Sequence, residues 1–100
     1  MKIITICGSM KFQKEIMEIA EKLALKGNCV LTPIYPAIEN IELTDEQIEI
    51  LKEGHRKRIA LSDAIYVVNV DNHIGASTSF EIQYAKMLGK EVIYYINDKH

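Results

Sequence analysis

A glutamate just inside a predicted helix is the side chain best placed for chemistry in this chain. Glu81 follows a loop of small and hydroxylated residues at 75–79, and that loop follows the strand-like run 64–70. In an open parallel sheet, ligands bind in the crevice beyond the carboxyl ends of the strands, which is where this order places the loop. Helical spacing puts the carboxylate on the same face as apolar residues, so it leans inward at the crevice.

An inward carboxylate at that position predicts a nucleophile or a general base. The positive end of its helix and hydroxyl donors such as Ser77 or Thr78 would support the charged form. The structural alternative is a glutamate that only complements the helix dipole, which is a common arrangement.

A second loop with ligand-binding chemistry follows the first predicted strand. Gly8, Ser9 and Lys11 lie between that strand and a helix. Backbone amides, a serine hydroxyl and a lysine ammonium at a helix N-terminus predict a phosphate site. Serine is also a favoured helix N-cap, and a cap needs no ligand.

His55 begins a short basic cluster, residues 55–58, directly after Gly54. If Gly54 breaks the helix, His55 starts a new helix near the crevice, where it can titrate or hydrogen-bond a ligand. If one helix runs unbroken from Thr44, His55 lies ~16 Å along it and packs towards the core. The arginines of the cluster predict a solvated face, with phosphate binding as the minority alternative.

The composition predicts a globular domain with no general attraction to nucleic acid. Hydrophobic residues make up 48% of the chain, charged residues 26%, and the net charge is −2. Any phosphate binding must therefore be local. No apolar run approaches the ~20 residues that cross a bilayer, and no signal-peptide pattern precedes the first strand. We expect one cytoplasmic domain over residues 1–100, without a membrane or polymeric nucleic acid as partner.

The two cysteines, Cys7 and Cys29, form neither a disulfide framework nor a metal-binding motif. They should lie at opposite ends of neighbouring strands, nearly a strand length apart. We expect free, mostly buried thiols, with a reactive Cys7 in the site as the minority alternative. The sequence predicts no metal site and no organic cofactor.

Hydrophobic spacing predicts strands that alternate with helices. The strands are predicted at 2–7, 29–32, 64–70 and 91–96, and the helices at 11–26, from 44 onward, and around Glu81 to 88. Such strands pair in parallel through right-handed crossovers. The predicted fold is α/β, a small doubly wound, flavodoxin-like parallel sheet of four to five strands in the order 2-1-3-4 with helices on both faces.

The switch point of this sheet lies between strands one and three, so it brings Ser9, Lys11 and Glu81 to one crevice. The loop 34–43 is long enough to reach over that crevice.

Four segments of the chain, residues 7–11, 62–68, 75–85 and 89–92, match a known family in order and spacing over nearly the whole chain. The sequence thereby resembles the nucleoside 2-deoxyribosyltransferase superfamily, which includes the 2'-deoxynucleoside 5'-phosphate N-hydrolases. In that family a glutamate at the position of Glu81 attacks the anomeric carbon and forms a glycosyl-enzyme, which a second base or water then resolves. The resemblance implies an N-glycosidase or deoxyribosyltransferase for deoxynucleosides or their 5'-monophosphates.

The same resemblance implies roles for individual residues. Glu81 is the implied nucleophile and His55 the acid/base or orienting residue. Substrate contacts are implied for Gly8, Ser9, Lys11, Asp63, Gly75, Ser77 and Thr78. Asp63 also fits a turn or cap residue.

The chain departs from the family at some of these positions. Lys11 stands where the hydrolases have an arginine, Thr5 where the family has a tyrosine that touches the glutamate, and His55 where it has an aspartate. The alternative function is a non-catalytic module that binds or senses a nucleotide or nucleoside, and a third is a structural subunit with a closed crevice. Because relatives complete their crevice with a neighbouring chain, we expect a homo-oligomer, a dimer built partly from the Glu81 helix and residues 94–97.

Overall fold

The computed structural model describes residues 1–37, 42–70 and 74–95, and these ranges form a parallel sheet with helices on both faces. The strands are β1 (Ile3–Gly8), β2 (Cys29–Leu31), β3 (Ala64–Val68) and β4 (Glu91–Tyr94). The helices are α1 (Gln13–Leu25), preceded by a 3-10 turn at Met10–Phe12, α2 (Asp45–Leu61) and α3 (Ala76–Met87). The strand order β2-β1-β3-β4 confirms the predicted sheet.

β1 and β3 are the central strands, and their parallel register brings Gly8 opposite Val68 at the carboxyl edge. A Cβ on Gly8 would lie 3.1 Å from the Val68 carbonyl oxygen. The absence of a side chain therefore allows the two strand ends to approach closely, and the loops that follow them open on one crevice.

Alternation along the central strands divides the core into two layers. Ile6 of β1 and Val68 of β3 pack with Ile16 under α1. Cys7 and Val67 face the other way, into the layer covered by α2 and α3. This is the period-2 pattern of strands that are buried on both faces.

α2 begins with a capping box, in which Thr44 accepts from the Gln47 amide and the Gln47 side chain accepts from the Thr44 amide. Gly54 does not break the helix, which continues for 17 residues. At 1.5 Å per residue the helix is ~25 Å long, longer than the strands that it covers. Its first half therefore projects beyond the carboxyl edge of the sheet and forms a wall of the crevice.

One prediction of burial is wrong. Cys29 is exposed rather than buried, because it opens β2 at an edge of the sheet; both cysteines are free. Ile48 and Leu51 of α2 line the crevice, with 38% and 39% of their surface exposed. Residues 38–41 of the predicted covering loop and 96–97 of the predicted dimer tail lie outside the described residues.

Within the described ranges, no helix has both the length and the apolar character required to cross a bilayer.

Candidate functional site

A cavity of about 520 Å³ opens at the carboxyl edge of the sheet, between β1, α2 and the start of α3. This volume is in the range of small-molecule sites. A structural subunit would have a crevice closed by side chains, and this crevice is open. The lining includes Gly8, Ser9, Met10, Pro33, Ile34, Leu43, Ile48, Leu51, Lys52, His55, Arg58, Gly75, Ala76, Ser77, Thr78 and Glu81.

Glu81 reaches this cavity from α3, as predicted from its helical spacing. The inner face of α3 carries Thr78, Ile82 and Ala85, all buried. Glu81 stands beside them at the mouth of the core, with 19% of its side chain exposed. The carboxylate is thus largely removed from bulk water and still accessible from the cavity.

His55 lies opposite Glu81, with Nε2 3.4 Å from Glu81 Oε1. Neither sequence alternative describes its position completely. The helix is unbroken and His55 is 7% exposed, as the core-facing alternative predicts, yet the ring is in the site. The two are compatible because the first half of α2 extends past the sheet edge, which brings the middle of the helix level with the end of β1.

Arg58, one turn after His55 on α2, determines which ring nitrogen carries the proton. Its Nε and Nη2 lie 3.2 and 3.1 Å from His55 Nδ1. Arginine has only donors, so Nδ1 accepts, and the proton of the neutral ring is on Nε2. His55 therefore directs an N–H towards Glu81. Partial burial lowers the pKa of Arg58 from its ordinary value, but a guanidinium stays protonated in proteins.

Cys7 completes the cluster from β1. Its Sγ is 3.6 Å from His55 Nε2, and the ligand atoms of Cys7 and Glu81 lie within 4.8 Å of each other. Burial, followed by the neighbouring Glu81 charge, raises the pKa of this thiol far above its ordinary value of 9.0. A protonated thiol is a weak donor and not a nucleophile, so Cys7 is in the site without being reactive.

Thr5 does not replace the tyrosine that the family resemblance implies at its position. Its Oγ1 lies 2.5 Å from Ser62 Oγ, and both hydroxyls donate towards the Arg58 carbonyl, at 3.1 and 2.7 Å. This contact anchors the end of α2 against β1. Since Cys7 lies two residues further along the same face, Cys7 rather than Thr5 is the β1 residue beside Glu81.

The loop after β1 enters the site only in part. Gly8 and Ser9 line the cavity, and the Ser9 hydroxyl also caps the 3-10 turn by accepting from the Lys11 amide at 3.4 Å. Lys11 does not line the cavity; it is exposed, with its ammonium 5.3 Å from the centroid of the Phe12 ring. The cations in the cavity wall are instead Lys52 and Arg58, both on α2.

Asp63 does not belong to this site, and its predicted substrate contact is corrected. Its Oδ2 accepts from the Ile3 amide at 2.8 Å, at the opposite, amino-terminal edge of the sheet. Its backbone joins the same strands, since the Asp63 amide donates to the Ile3 carbonyl and its carbonyl accepts from the Glu91 amide. Asp63 therefore joins strand beginnings, in agreement with the turn interpretation.

Solved structures with the same architecture include two deoxyribosyltransferases and a nucleotide glycosidase. A 2-deoxyribosyltransferase of Bacillus psychrosaccharolyticus aligns with 95% of this chain and 77% of its own, at a TM-score of 0.75 and 20% identity. A 2-desoxiribosyltransferase of Leishmania mexicana aligns with 100% of this chain and 67% of its own, at a TM-score of 0.70 and 21% identity. A CMP N-glycosidase of Clostridium botulinum, BcmB, aligns with 99% of this chain and 72% of its own, at a TM-score of 0.63 and 22% identity. This chain has the nucleoside 2-deoxyribosyltransferase-like fold.

No protein-family model matches the chain, and the comparison with curated proteins finds no significant match. The similarity that defines this 2-deoxyribosyltransferase-like chain is therefore one of fold. The roles of its crevice residues have to be argued from its own geometry.

The ligand atoms of Cys7, His55 and Glu81 all lie within 4.8 Å of one another, close enough to hold a metal ion. However, the histidine nitrogen that faces the other two residues is the protonated one. A metal-bound nitrogen must give up its proton. In the observed arrangement Cys7 Sγ contacts His55 Nε2 at 3.6 Å, and the same nitrogen faces the Glu81 carboxylate at 3.4 Å.

Sequence analysis missed three contributors to this site, namely Arg58, Lys52 and the placement of Cys7 beside the carboxylate. The signal for the first was available in the i, i+3 spacing of His55 and Arg58, which puts them on one helix face. Which face turns to the crevice depends on the packing of α2 against the sheet, and the sequence pattern alone left that open.

Proposed function

We propose that this protein is an N-glycosidase or deoxyribosyltransferase for deoxynucleosides or their 5'-monophosphates, with Glu81 as nucleophile. The observation that carries the proposal is the placement of this carboxylate. It lies in a cavity of about 520 Å³ at the carboxyl edge of a parallel sheet, with Oε1 3.4 Å from His55 Nε2. The fold shared with deoxyribosyltransferases and a CMP N-glycosidase supports the same chemistry.

The reaction would follow two displacements at the anomeric carbon. A Glu81 oxygen forms a bond to C1', the C1'–N bond breaks, and the base departs with the electron pair and takes up a proton from solvent. Water or a second base then attacks C1', loses its proton to solvent, and displaces the carboxylate as the C1'–O bond to Glu81 breaks. Two steps with a covalent intermediate replace one difficult displacement, and the ring oxygen shares the developing positive charge.

In this proposal His55 orients the nucleophile and does not exchange protons with the substrate. Its Nδ1 accepts from Arg58 and its Nε2–H donates to Glu81, so both nitrogens are engaged. Fixing one carboxylate oxygen sets the plane in which the group approaches C1', and misplacement of a reacting group by about 1 Å can cost 10²-fold in rate.

The substrate would lie between the β1 loop and the start of α3. Gly8 and Ser9 contact it from one side, and Gly75, Ser77 and Thr78 offer backbone and hydroxyl groups from the other. A 5'-phosphate would find positive charge at Lys52 and Arg58 on α2, in place of the Lys11 position.

The proposal includes a homodimer in the cytoplasm. α3 leaves large apolar side chains exposed, with Phe80 at 54% and Met87 at 82%. A second copy packed on this helix would cover them and close the crevice from outside. Light scattering at working concentration should give twice the chain mass of 11.4 kDa; a monomer mass contradicts this part of the proposal.

The function is tested by incubating the protein with deoxynucleosides, deoxynucleoside 5'-monophosphates and CMP, and following free base by chromatography. We expect release from at least one class, and a loss of about 10⁴-fold or more in Glu81→Ala, the scale seen when a nucleophile is removed. Glu21→Gln, an exposed glutamate on α1, is the control for removing a carboxylate and should match the native protein.

Equal release by native protein and Glu81→Ala would remove Glu81 from the mechanism. Calorimetric binding without turnover, unchanged in Glu81→Gln, would instead establish the non-catalytic nucleotide-binding module.

A further inference from the structure

Two of the separations in the Cys7–His55–Glu81 triad equal those between zinc ligands, and all three ligand atoms lie within 4.8 Å of one another. In a tetrahedral site with Zn–S of about 2.3 Å and Zn–N and Zn–O of about 2.0–2.2 Å, sulfur and nitrogen lie roughly 3.6 Å apart and nitrogen and oxygen roughly 3.4 Å apart. The observed separations are 3.6 Å from Cys7 Sγ to His55 Nε2 and 3.4 Å from that nitrogen to Glu81 Oε1. Three protein ligands and an open cavity also match the layout of catalytic zinc sites.

The surroundings of His55 oppose a metal at this position. A metal-ligating histidine donates its other N–H to an acceptor such as a carbonyl or a carboxylate. Here the other nitrogen, Nδ1, meets two donors of Arg58 at 3.2 and 3.1 Å. Coordination through Nε2 would require a proton on Nδ1, directed at those donors, and would place a dication near a guanidinium.

We propose that Arg58 is a positioning residue that keeps this triad free of divalent metal, by fixing the His55 proton on the nitrogen that faces Glu81 and Cys7. The same contact that excludes zinc supplies the N–H that holds the carboxylate. Removing the Arg58 donors would free the ring to move its proton to Nδ1, and Cys7, His55 and Glu81 would then form a zinc site.

The inference does not depend on the proposed glycosidase activity, because its readout is metal binding to the purified protein. It has a consequence for that activity all the same. A metal on Glu81 would occupy the carboxylate proposed to attack the substrate, so a protein that uses the carboxylate this way must keep thiophilic ions away from it.

Cobalt(II) is the probe, since it occupies zinc sites and a cobalt–thiolate bond gives an intense near-ultraviolet absorption band. The native protein and Arg58→Lys, which retains a donor, should show no such band under stoichiometric cobalt. Arg58→Gln should show it, because the glutamine carbonyl can accept from a protonated Nδ1. We expect the affinity for cobalt to rise about 10- to 100-fold, the range over which partners of metal-bound histidines act.

Two controls isolate the triad. Lys57→Gln removes a neighbouring exposed cation of α2 and should bind cobalt no better than native protein. Cys7→Ala combined with Arg58→Gln should lose the band, because the thiolate is its source.

Nitrogen-15 NMR of the imidazole gives an independent readout. In the native protein His55, assigned by its loss in His55→Gln, should show protonated Nε2 and unprotonated Nδ1, and Arg58→Gln should shift the proton towards Nδ1. A thiolate–cobalt band in native protein, native-level cobalt affinity in a folded Arg58→Gln, or a proton on Nδ1 in native protein would each overturn the proposal. Failure of base release by native protein would defeat only the glycosidase proposal.

Discussion

The buried core residues under α1 are all apolar, whereas the face under α2 and α3 contains a chain of buried polar side chains. Ile6, Ile16 and Val68 meet on the first face. On the second, Thr5 and Cys7 of the same β1 strand contact the end of α2 and the Glu81 cluster. Both faces are covered by helices, so burial alone does not explain the difference.

The two faces of the sheet therefore have different roles. Apolar burial contributes to stability without demanding a particular partner, whereas each buried polar group has to be satisfied in a definite geometry. The hydrogen bond from Arg58 to His55 and the 3.4 Å contact of His55 with Glu81 fix the directions of these side chains at the crevice. We therefore expect substitutions under α1 to act on stability, and substitutions in the polar chain to act on activity.

The largest expected effect on stability is at Ile16, which is fully buried under α1. Ile16→Ala should lower the free energy of unfolding by about 2–5 kcal/mol, through lost burial and the cavity left behind. Urea denaturation measures it. Ile50→Ala, at a side chain 60% exposed on α2, is the control and should change stability by about 0.5 kcal/mol at most. Equal costs at the two sites would break the comparison.

His55→Gln tests the other face. If His55 orients Glu81, its replacement should lower base release about 10²-fold and change stability less than Ile16→Ala does. Glutamine retains a donor, so His55→Gln should keep more activity than His55→Leu. Steady-state kinetics beside urea denaturation give both quantities. Unchanged activity in a destabilised His55→Gln would make the histidine a packing residue like those under α1.

The architecture was predictable because each step follows from short-range patterns. Helices between strands require parallel pairing, and handedness then restricts the strand order, so β2-β1-β3-β4 follows without knowledge of any contact. The capping box at Thr44 and Gln47 is likewise local. The position of Glu81 was predictable from two such patterns. Helical spacing gives the face of α3 on which it lies, and the strand order gives the edge of the sheet.

The partners of Glu81 were less predictable, because they depend on how far α2 extends beyond the sheet. A pattern of residues gives the face of a helix but not its offset along the neighbouring strands. His55 was therefore assigned either to the core or to the site, although it belongs to both. Lys11 shows the same difficulty on a smaller scale, since its side chain lies over Phe12 rather than in the cavity.

Cys7 provides a test of the polar face through pH. Burial and then Glu81 raise the pKa of its thiol in the folded protein above the ordinary 9.0 of the unfolded chain. The stabilisation that results from this raised pKa is fully present below pH 9. As the pH rises above 9, the free energy of unfolding falls by about 1.4 kcal/mol per pH unit. Urea denaturation of native protein and Cys7→Ala between pH 8 and pH 10 isolates the contribution of this thiol to stability.

The expected result is a steeper loss of stability at alkaline pH in the native protein than in Cys7→Ala. Cys29→Ala, at the exposed cysteine, controls for removal of a thiol and should follow the native curve. Parallel curves for native protein and Cys7→Ala would mean that the thiol is not buried beside Glu81, and the polar chain would lose its β1 member.

The smallest effect is expected for charged side chains that lie outside both faces of the sheet. Lys2 and Glu91 form an ion pair at the amino-terminal edge, with 43% and 55% of their side chains exposed. A double-mutant cycle with Lys2→Met and Glu91→Gln should give a coupling free energy below about 1 kcal/mol. About 1 M salt should abolish it, because screening is then nearly complete beyond contact distance. A larger, salt-resistant coupling would show that polar contacts at this edge are as demanding as those around Glu81, and the contrast between crevice and surface would disappear.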